Sequence, residues 1–213
     1  MSKRMNIYVL PVGPIQANCY LLCDEEAKRC AVIDAGGEGA RIARAVERTG
    51  CTPEAILLTH GHYDHTGGVE ELQELWPGVP VYINQRDQHA DSRFWQLCPL
   101  LENTKSYDEG DTLTVGSLKI EVLATPGHSG GSVTLKCGEC LFTGDTLFAG
   151  SCGRTDFPDG STRTILESLK RLGELEGNYK VYPGHMEDST LDVERRRNPF
   201  MRQAMMGKGY PFE

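Results

Sequence analysis

The chain has 213 residues, of which 39% are apolar and 24% charged, and its formal net charge is −8. This composition excludes disordered and fibrous classes, and the length favours one domain over residues 1–213. The negative charge disfavours a nucleic-acid partner, which would require a basic face. No apolar run reaches the roughly 18 residues that cross a bilayer, and Pro11 interrupts the short apolar stretch near the start. We therefore expect a cytoplasmic protein with no membrane partner.

The eight cysteines are expected to carry mostly reduced thiols, because a chain of this length without a secretory pattern does not resemble a small disulfide-stabilised domain. Cys137 and Cys140 form a single C-x-x-C pair between two apolar runs. A zinc ribbon would need a second such pair, so this one predicts a hairpin turn at Gly138 and Glu139.

Short apolar runs and helical periods of apolar residues alternate in the first part of the chain. They predict, in chain order, strands over 6–10, 19–23 and 30–33, a helix over 40–48, a strand over 55–58, a helix over 69–76 and a strand over 79–83. The segment 84–108 is polar and aromatic without a clear period. We expect it to hold a helix and a long loop near an active site.

The second part of the chain is rich in strands before it becomes helical. Its pattern predicts strands over 112–115, 118–123, 132–137 and 140–142, an amphipathic helix over 162–172, a strand over 179–182 and a charged helix over 191–196. Two strand-rich halves, each closed by helices, predict an α/β fold in which two sheets pack together with helices outside.

Three of the six histidines lie in one short segment directly after a predicted buried strand. They are His60, His62 and His65, and Asp64 lies among them. The strand would hold one end of the segment, and the neighbouring glycines let the chain turn sharply. A tight turn of this kind can aim several imidazoles and a carboxylate at one point, and this donor set suits zinc, iron or manganese.

Three further ligand-type residues follow other predicted strands. His128 and His185 each come after a Pro-Gly pair at a strand end, and Asp145 follows a strand and a glycine. Four strand ends with the same feature are poorly explained as solvated surface. The sequence therefore predicts that these residues meet the His60 segment in one site.

The number of candidate ligands exceeds what one tetrahedral ion can accept. Five histidines and two aspartates fit two divalent ions about 3.5 Å apart, bridged by a carboxylate. Such a pair lowers the pKa of a bound water towards about 7 and polarises a carbonyl group. We expect two divalent metal ions as cofactors, with zinc favoured and iron or manganese compatible.

The pattern His60-x-His62-x-Asp64-His65, followed by His128, Asp145 and His185, resembles that of the metallo-β-lactamase superfamily. The resemblance implies a four-layer αββα sandwich. Within the superfamily, residues 32–36, 59–68, 143–148 and 182–185 are most similar to the glyoxalase II (hydroxyacylglutathione hydrolase) group. Only 28 residues follow His185, which resembles the compact bacterial members of that group.

The resemblance also implies roles for individual residues. The first metal would be held by His60, His62 and His128, the second by Asp64, His65 and His185, and Asp145 would bridge them. Asp64 would also accept or pass a proton in catalysis. Asp34, at the end of a strand, would orient a ligand or the His60 loop.

Two residues are candidates for contact with the substrate. Arg154 lies in the string Gly-Arg-Thr-Asp-Phe at 153–157, where larger glyoxalase II enzymes carry Lys-x-Tyr for glutathione, and it is expected to pair with a substrate carboxylate. Asp156 stands at the position of that tyrosine. Tyr63, inside the ligand motif, either borders the substrate or packs in the interior.

The favoured function is hydrolysis of a small-molecule thioester, an S-(2-hydroxyacyl)glutathione such as S-lactoylglutathione. The alternative is an iron-dependent persulfide dioxygenase, because those enzymes share the Gly-Arg-Thr-Asp-Phe string and hold one iron with two histidines and an aspartate. A weaker alternative is a non-catalytic metal-binding regulatory protein.

The commonest secreted zinc β-lactamases carry cysteine at the position of Asp145, so antibiotic hydrolysis is disfavoured. The oligomeric state stays open.

Overall fold

Two six-stranded sheets dominate the computed structural model, which describes residues 5–88 and 97–207. In the first sheet the strands lie side by side in chain order. They are β1 (Met5–Val12), β2 (Ala17–Asp24), β3 (Arg29–Ile33), β4 (Thr52–Leu57), β5 (Val81–Ile83) and β6 (Thr104–Ser106). The first three pair antiparallel and the last four pair parallel. The parallel connections pass through α1 (Gly39–Thr49), α2 (Tyr63–Thr66) and α3 (Val69–Leu75).

The second sheet is formed by the later strands, in the spatial order β14-β13-β10-β9-β8-β7. Its strands are β7 (Thr112–Val115), β8 (Leu118–Ala124), β9 (Val133–Cys137), β10 (Cys140–Gly144), β13 (Lys180–Pro183) and β14 (Ser189–Thr190). A separate two-stranded ribbon consists of β11 (Leu147–Phe148) and β12 (Ser151–Cys152). Three helices belong to this half: α4 (Thr162–Gly173), α5 (Leu191–Arg197) and α6 (Pro199–Met206).

The side chains of β2 show why the fold has four layers. All eight residues of this strand are buried, so both of its faces are covered. Tyr20 and Leu22 point into the core between the two sheets, whereas Leu21 and Cys23 point into the core beneath α1 and α3. A third core lies between the second sheet and the helices of its half. The predicted αββα sandwich is therefore confirmed.

The helix α4 illustrates how local sequence sets an element of the outer layer. Ser161 caps its first turn, because its side chain accepts a hydrogen bond from the Thr164 amide at 3.2 Å. Ile165, Leu169 and Leu172 are buried on one face of this amphipathic helix. Leu169 and Leu172 pack in the core against residues of the second sheet.

The structure adds several elements that the sequence patterns do not predict. The four residues of α2 are too few for a hydrophobic period, and so are the two-residue strands of the ribbon. The start of helix α6 does have a signal in the sequence, because Asn198 caps the helix and Pro199 lies in its first turn.

The segment 84–108 contains a short 3-10 helix at Gln85–Asp87 and the strand β6. The helix and long loop expected there stay predictions, because residues 89–96 lie outside the described part.

The cysteines and the hairpin at 137–140 agree with the sequence interpretation. All eight cysteines lie within the described residues and none forms a disulfide bond, and Cys137 faces Cys140 across the turn between β9 and β10. Within the described residues, every helix is too short or too polar to cross a bilayer. That the whole chain forms a single domain stays a prediction.

The inter-sheet core yields a prediction of stability. Phe142 is fully buried and contacts the Tyr20 ring edge to face, with ring centres 5.4 Å apart. Replacing Phe142 with alanine should lower the free energy of unfolding by about 3–5 kcal/mol, because it leaves a cavity between the sheets. Urea unfolding followed by circular dichroism measures this change. The matched control is Leu75→Ala on α3, where the side chain is 49% exposed, and the expected change is within about 0.5 kcal/mol. Equal effects of the two substitutions would contradict this view of the core.

Candidate metal centre

The candidate ligands meet at one edge of the sandwich because of the strand directions. Strands β8 and β10 both pair antiparallel with β9, and β13 pairs parallel with β10, so β8, β10 and β13 run the same way. Their carboxyl ends therefore lie at the same edge, where His128, Asp145 and His185 follow. The carboxyl end of β4, in the other sheet, leads to the His60 segment.

Thr59 fastens the His60 segment at the end of β4. Its amide and its hydroxyl donate to the two carboxylate oxygens of Asp34, at 2.7 and 2.8 Å. Its carbonyl accepts from the Val133 amide at 2.8 Å, which ties the first sheet to the second. Asp34 adopts a left-handed backbone conformation with φ of 56°, which aspartate tolerates better than most residues. The turn that follows is thus held by both sheets.

The structure brings all seven predicted ligands together. Candidate ligand atoms form three groups, and within each group they lie within 4.8 Å of one another. The groups are His60 with His62 and His128, Asp64 with His65 and His185, and His60 with His65 and Asp145. The first two are the triads that the family resemblance implies, and the third connects them.

Asp145 lies between the two triads. Its Oδ1 atom is 3.3 Å from His65 Nε2, and its Oδ2 atom is 3.4 Å from His128 Nε2 and 3.6 Å from His185 Nε2. Oδ1 thus faces a ligand of the second triad, and Oδ2 faces one ligand of each triad. This is the position that a bridging carboxylate would occupy.

Buried polar atoms without hydrogen bonds test whether the residues fit metal ions. Among the described residues, four such atoms belong to this cluster: His60 Nε2, His62 Nε2, His65 Nε2 and Asp145 Oδ1. Buried polar atoms in native proteins are nearly always satisfied, so a concentration of unsatisfied lone pairs indicates a missing ligand. His62 Nδ1 and His128 Nε2 also approach to 2.8 Å, so these two rings converge on one point. The donor set and the unsatisfied atoms fit divalent cations.

Burial and neighbouring charges favour neutral imidazoles at His60 and His62 beside charged carboxylates. Burial, with the neighbouring histidines, lowers the pKa of His60 well below its ordinary value and that of His62 to about 3. Burial alone would raise the pKa of Asp64 and Asp145, but the surrounding histidines outweigh it and lower both. For His65, the carboxylates of Asp145 and Asp34 outweigh burial and raise the pKa. Neutral imidazoles and ionised carboxylates are the forms that bind metals.

Each of three histidines has its Nδ1 atom engaged by a neighbouring oxygen. Asp34 Oδ2 lies 3.0 Å from His65 Nδ1, Thr59 Oγ1 lies 3.1 Å from His60 Nδ1, and the Arg154 carbonyl lies 2.7 Å from His128 Nδ1. These contacts leave the Nε2 atom of each ring directed at the cluster. The sequence pointed to Asp34 through the family likeness. It gave no sign of the Arg154 carbonyl, because a backbone contact has no signature in residue types.

Gly184 allows the close approach of two ligands. A Cβ atom at this position would lie 2.3 Å from Asp145 Oδ1 and 2.6 Å from His65 Cε1. Any side chain here would displace both groups. The Pro-Gly-His pattern at the end of β13 therefore has a steric reason at its second residue.

Five of the seven cluster residues line a pocket of about 500 Å³, a size typical of small-molecule sites. Its walls are largely apolar, and they include Ile15, Leu97, Phe148, Phe157 and Met186.

Tyr63 lines the pocket and is 43% exposed, so it borders the cavity and is not packed in the core. Arg154 also lines the pocket, but its guanidinium is held by Asp156. The apolar lining residues are scattered over the chain and had no recognisable motif.

The contact between Asp34 and His65 yields a prediction of metal affinity. In Asp34→Asn the carboxylate that orients His65 is lost, and metal affinity should fall about 10- to 100-fold. Competition with a chromogenic chelator measures this change. The matched control is Asp24→Asn, since Asp24 is also a fully buried carboxylate with hydrogen bonds to Ala27 and Ser117, but it lies outside the cluster. It should lower stability and leave metal affinity unchanged. Unchanged affinity in Asp34→Asn would exclude the orienting role.

Comparison with known proteins agrees with this geometry. Residues 12–185 match the family model of the metallo-beta-lactamase superfamily. The probable metallo-hydrolase YqgX of Bacillus subtilis is 39% identical over 204 residues, which cover 90% of this chain and 95% of that protein. Hydroxyacylglutathione hydrolase GloC of Haemophilus influenzae is 35% identical over 210 residues, covering 92% and 98%.

Solved structures with the same fold carry different names. The B3 metallo-beta-lactamase BLEG-1 has a TM-score of 0.84 at 32% identity, covering 92% of this chain and 99% of its own. TTHA1623, solved in a di-iron-bound form, has a TM-score of 0.78 at 36% identity, covering 91% and 99%. ETHE1 from Myxococcus xanthus has a TM-score of 0.77 at 27% identity, covering 97% and 93%. The fold and the His/Asp cluster together indicate a dinuclear metal site, and the chain belongs to the metallo-beta-lactamase superfamily.

Proposed function

We propose that this chain is a metal-dependent thioester hydrolase whose substrate is an S-(2-hydroxyacyl)glutathione such as S-lactoylglutathione. The observation that carries the proposal is the complete set of seven ligand-type side chains, five of which line a small-molecule pocket. The likeness to GloC over almost the whole of both chains supports the choice of substrate. A second curated relative, from Gloeobacter violaceus, is also named a hydroxyacylglutathione hydrolase.

The ligand groups suggest how two ions would be held. His60, His62 and His128 would bind the first, Asp64, His65 and His185 the second, and Asp145 would bridge them. Two bound ions would supply a hydroxide at neutral pH and an electrophile for the thioester carbonyl. Zinc is the favoured metal, and iron or manganese suits the same donors.

The protein's own groups complete the chemistry of the site. Asp64 is ionised, since the neighbouring His185 and His65 outweigh burial and hold its pKa low, and its carboxylate can orient a water and accept a proton. The apolar walls limit the entry of bulk water, which strengthens electrostatic interactions in the pocket. The leaving group is a thiolate, which departs without a strong general acid, so no further acid is needed.

Metal analysis combined with a thioester assay tests the proposal. Purified protein should contain two equivalents of divalent metal per chain and hydrolyse S-lactoylglutathione, followed by the loss of thioester absorbance. One iron per chain without hydrolysis would sink the proposal.

Substitution of the ligands gives a second test. His62→Ala and Asp145→Ala should each abolish metal retention and turnover, because each removes a donor and leaves its partners unsatisfied. Elemental analysis and the thioester assay report both losses. Glu167→Gln on α4, which breaks only the exposed pair with Arg163, serves as the control and should behave as the unmodified protein. Full activity in either ligand variant would refute the role of the cluster.

A persulfide dioxygenase is the second candidate. It is favoured by the string Gly-Arg-Thr-Asp-Phe at 153–157, which resembles that of persulfide dioxygenases. It would consume oxygen when given glutathione persulfide, and an oxygen electrode measures this directly. The thioesterase proposal expects no oxygen uptake.

A β-lactam should be assayed beside the thioester, because the similar structure BLEG-1 is named a B3 metallo-beta-lactamase. The turnover of the β-lactam should be far below that of the thioester.

A further inference from the structure

The state of Arg154 does not suit a simple carboxylate-binding site. Its Nε and Nη2 groups donate to Oδ1 and Oδ2 of Asp156 at 2.6 and 2.5 Å, a bidentate ion pair. The positive charge is therefore matched by a neighbouring negative charge. A substrate that offered only a carboxylate would be attracted by Arg154 and repelled by Asp156. The pair as a whole carries no net charge to select an anion.

The ion pair stands at the rim of the pocket, close to the metal cluster. The guanidinium lies over the Phe157 ring, 4.3 Å from its centre, and that ring lies 5.2 Å from the His62 ring. The Arg154 carbonyl holds His128 from the same segment. The position of the pair is thus fixed relative to the reacting centre. Both side chains are more than half exposed. Arg154 lines the pocket, and Asp156 is held against its guanidinium just outside the lining.

The pair retains groups for a ligand with both charges. Arginine has five N–H donors, and Asp156 is the acceptor of two of them. The three others include the edge formed by both Nη atoms, which can bind a second carboxylate in parallel. The outer lone pairs of the Asp156 carboxylate can accept from an ammonium group. A carboxylate and an ammonium on one carbon atom match this arrangement, because each finds its opposite charge.

We infer that Arg154 and Asp156 together bind the α-amino-acid zwitterion at the γ-glutamyl end of the glutathione portion of the substrate. The inference rests on the proposed function and adds which part of the thiol carrier is recognised. Arg154 binds the α-carboxylate, and Asp156 binds the α-ammonium and holds the guanidinium in place. Among the described lining residues outside the metal cluster, Arg154 is the one with a formal charge. The remaining rim, including Ile15, Tyr63 and Met186, suits the uncharged parts of the substrate.

The distances are compatible with this placement. The two ring contacts put the guanidinium within about 10 Å of His62. In glutathione, seven covalent bonds separate the sulfur from the γ-glutamyl α-carbon, a span of roughly 8–9 Å when extended. A thioester over the cluster can therefore reach the ion pair with its amino-acid end.

Binding of non-hydrolysable thioethers to the metal-loaded protein tests the inference without relying on turnover. S-methylglutathione has the zwitterionic end, whereas its N-acetyl derivative has the same carboxylates and no ammonium. Titration calorimetry should show that the unmodified protein binds the first about fivefold or more tightly than the second, as expected for one charge-assisted hydrogen bond at a partly exposed site. In Asp156→Asn this ratio should fall to below about twofold, because the acceptor for the ammonium loses its charge.

Two further variants separate this role from general disturbance of the loop. Arg154→Gln should weaken both thioethers, since both contain the α-carboxylate. Glu167→Gln, which breaks an exposed Arg–Glu pair on α4, should keep the ratio of the unmodified protein. With S-lactoylglutathione, Asp156→Asn should raise KM and leave kcat and metal content unchanged, because the pair contributes to binding and not to the reacting atoms.

The outcomes distinguish the inference from the function on which it rests. If the unmodified protein hydrolyses S-lactoylglutathione but binds both thioethers equally, or if Asp156→Asn keeps the ratio, the zwitterion site is wrong and the hydrolase proposal stands. A loss of metal or of kcat in Asp156→Asn would show a structural role and would also overturn the inference. If the unmodified protein neither binds S-methylglutathione nor hydrolyses the thioester, the proposed function fails, and the inference fails with it.

Discussion

The structure depends on one constraint, a group of buried nitrogen and oxygen atoms that have no hydrogen bond within the protein. They belong to the cluster in which five imidazoles and two carboxylates converge. Burial of such groups without compensation is unfavourable. Divalent cations resolve this, since each ion accepts several lone pairs and neutralises the carboxylates. The αββα sandwich achieves the convergence by ending strands of both sheets at one edge.

Much of the site could be predicted from the sequence because the ligand residues have distinctive contexts. His60, His62, Asp64 and His65 lie in one short segment, and His128, Asp145 and His185 follow strands that apolar runs reveal. The fold class followed from the order of strands and helices and from the family resemblance. These features depend on residue type and spacing along the chain, which a single sequence contains.

Other features depend on how distant segments approach one another, and the sequence could not reveal them. The Arg154 carbonyl against His128 involves a backbone atom, which is the same in every residue. The pairing of Arg154 with Asp156 could not be told from two independent surface charges. The short helix α2 and the ribbon of β11 and β12 are defined by tertiary contacts, since they are too brief for a period. Substrate choice belongs to this second class, because a relative and a solved structure of similar identity to this chain carry different functional names.

The origin of the ligands in two different sheets has a consequence for the lifetime of the protein. The first triad joins His60 and His62 of one half to His128 of the other, and the second joins Asp64 and His65 to His185. Each bound ion would therefore act as a cross-link between the halves, and its binding energy would add to the cohesion of the whole chain. If metal were scarce, the protein would lose stability as well as activity. Loss of metal would make the two halves easier to separate and expose the chain to proteases, so that the supply of metal would govern how much of the protein persists.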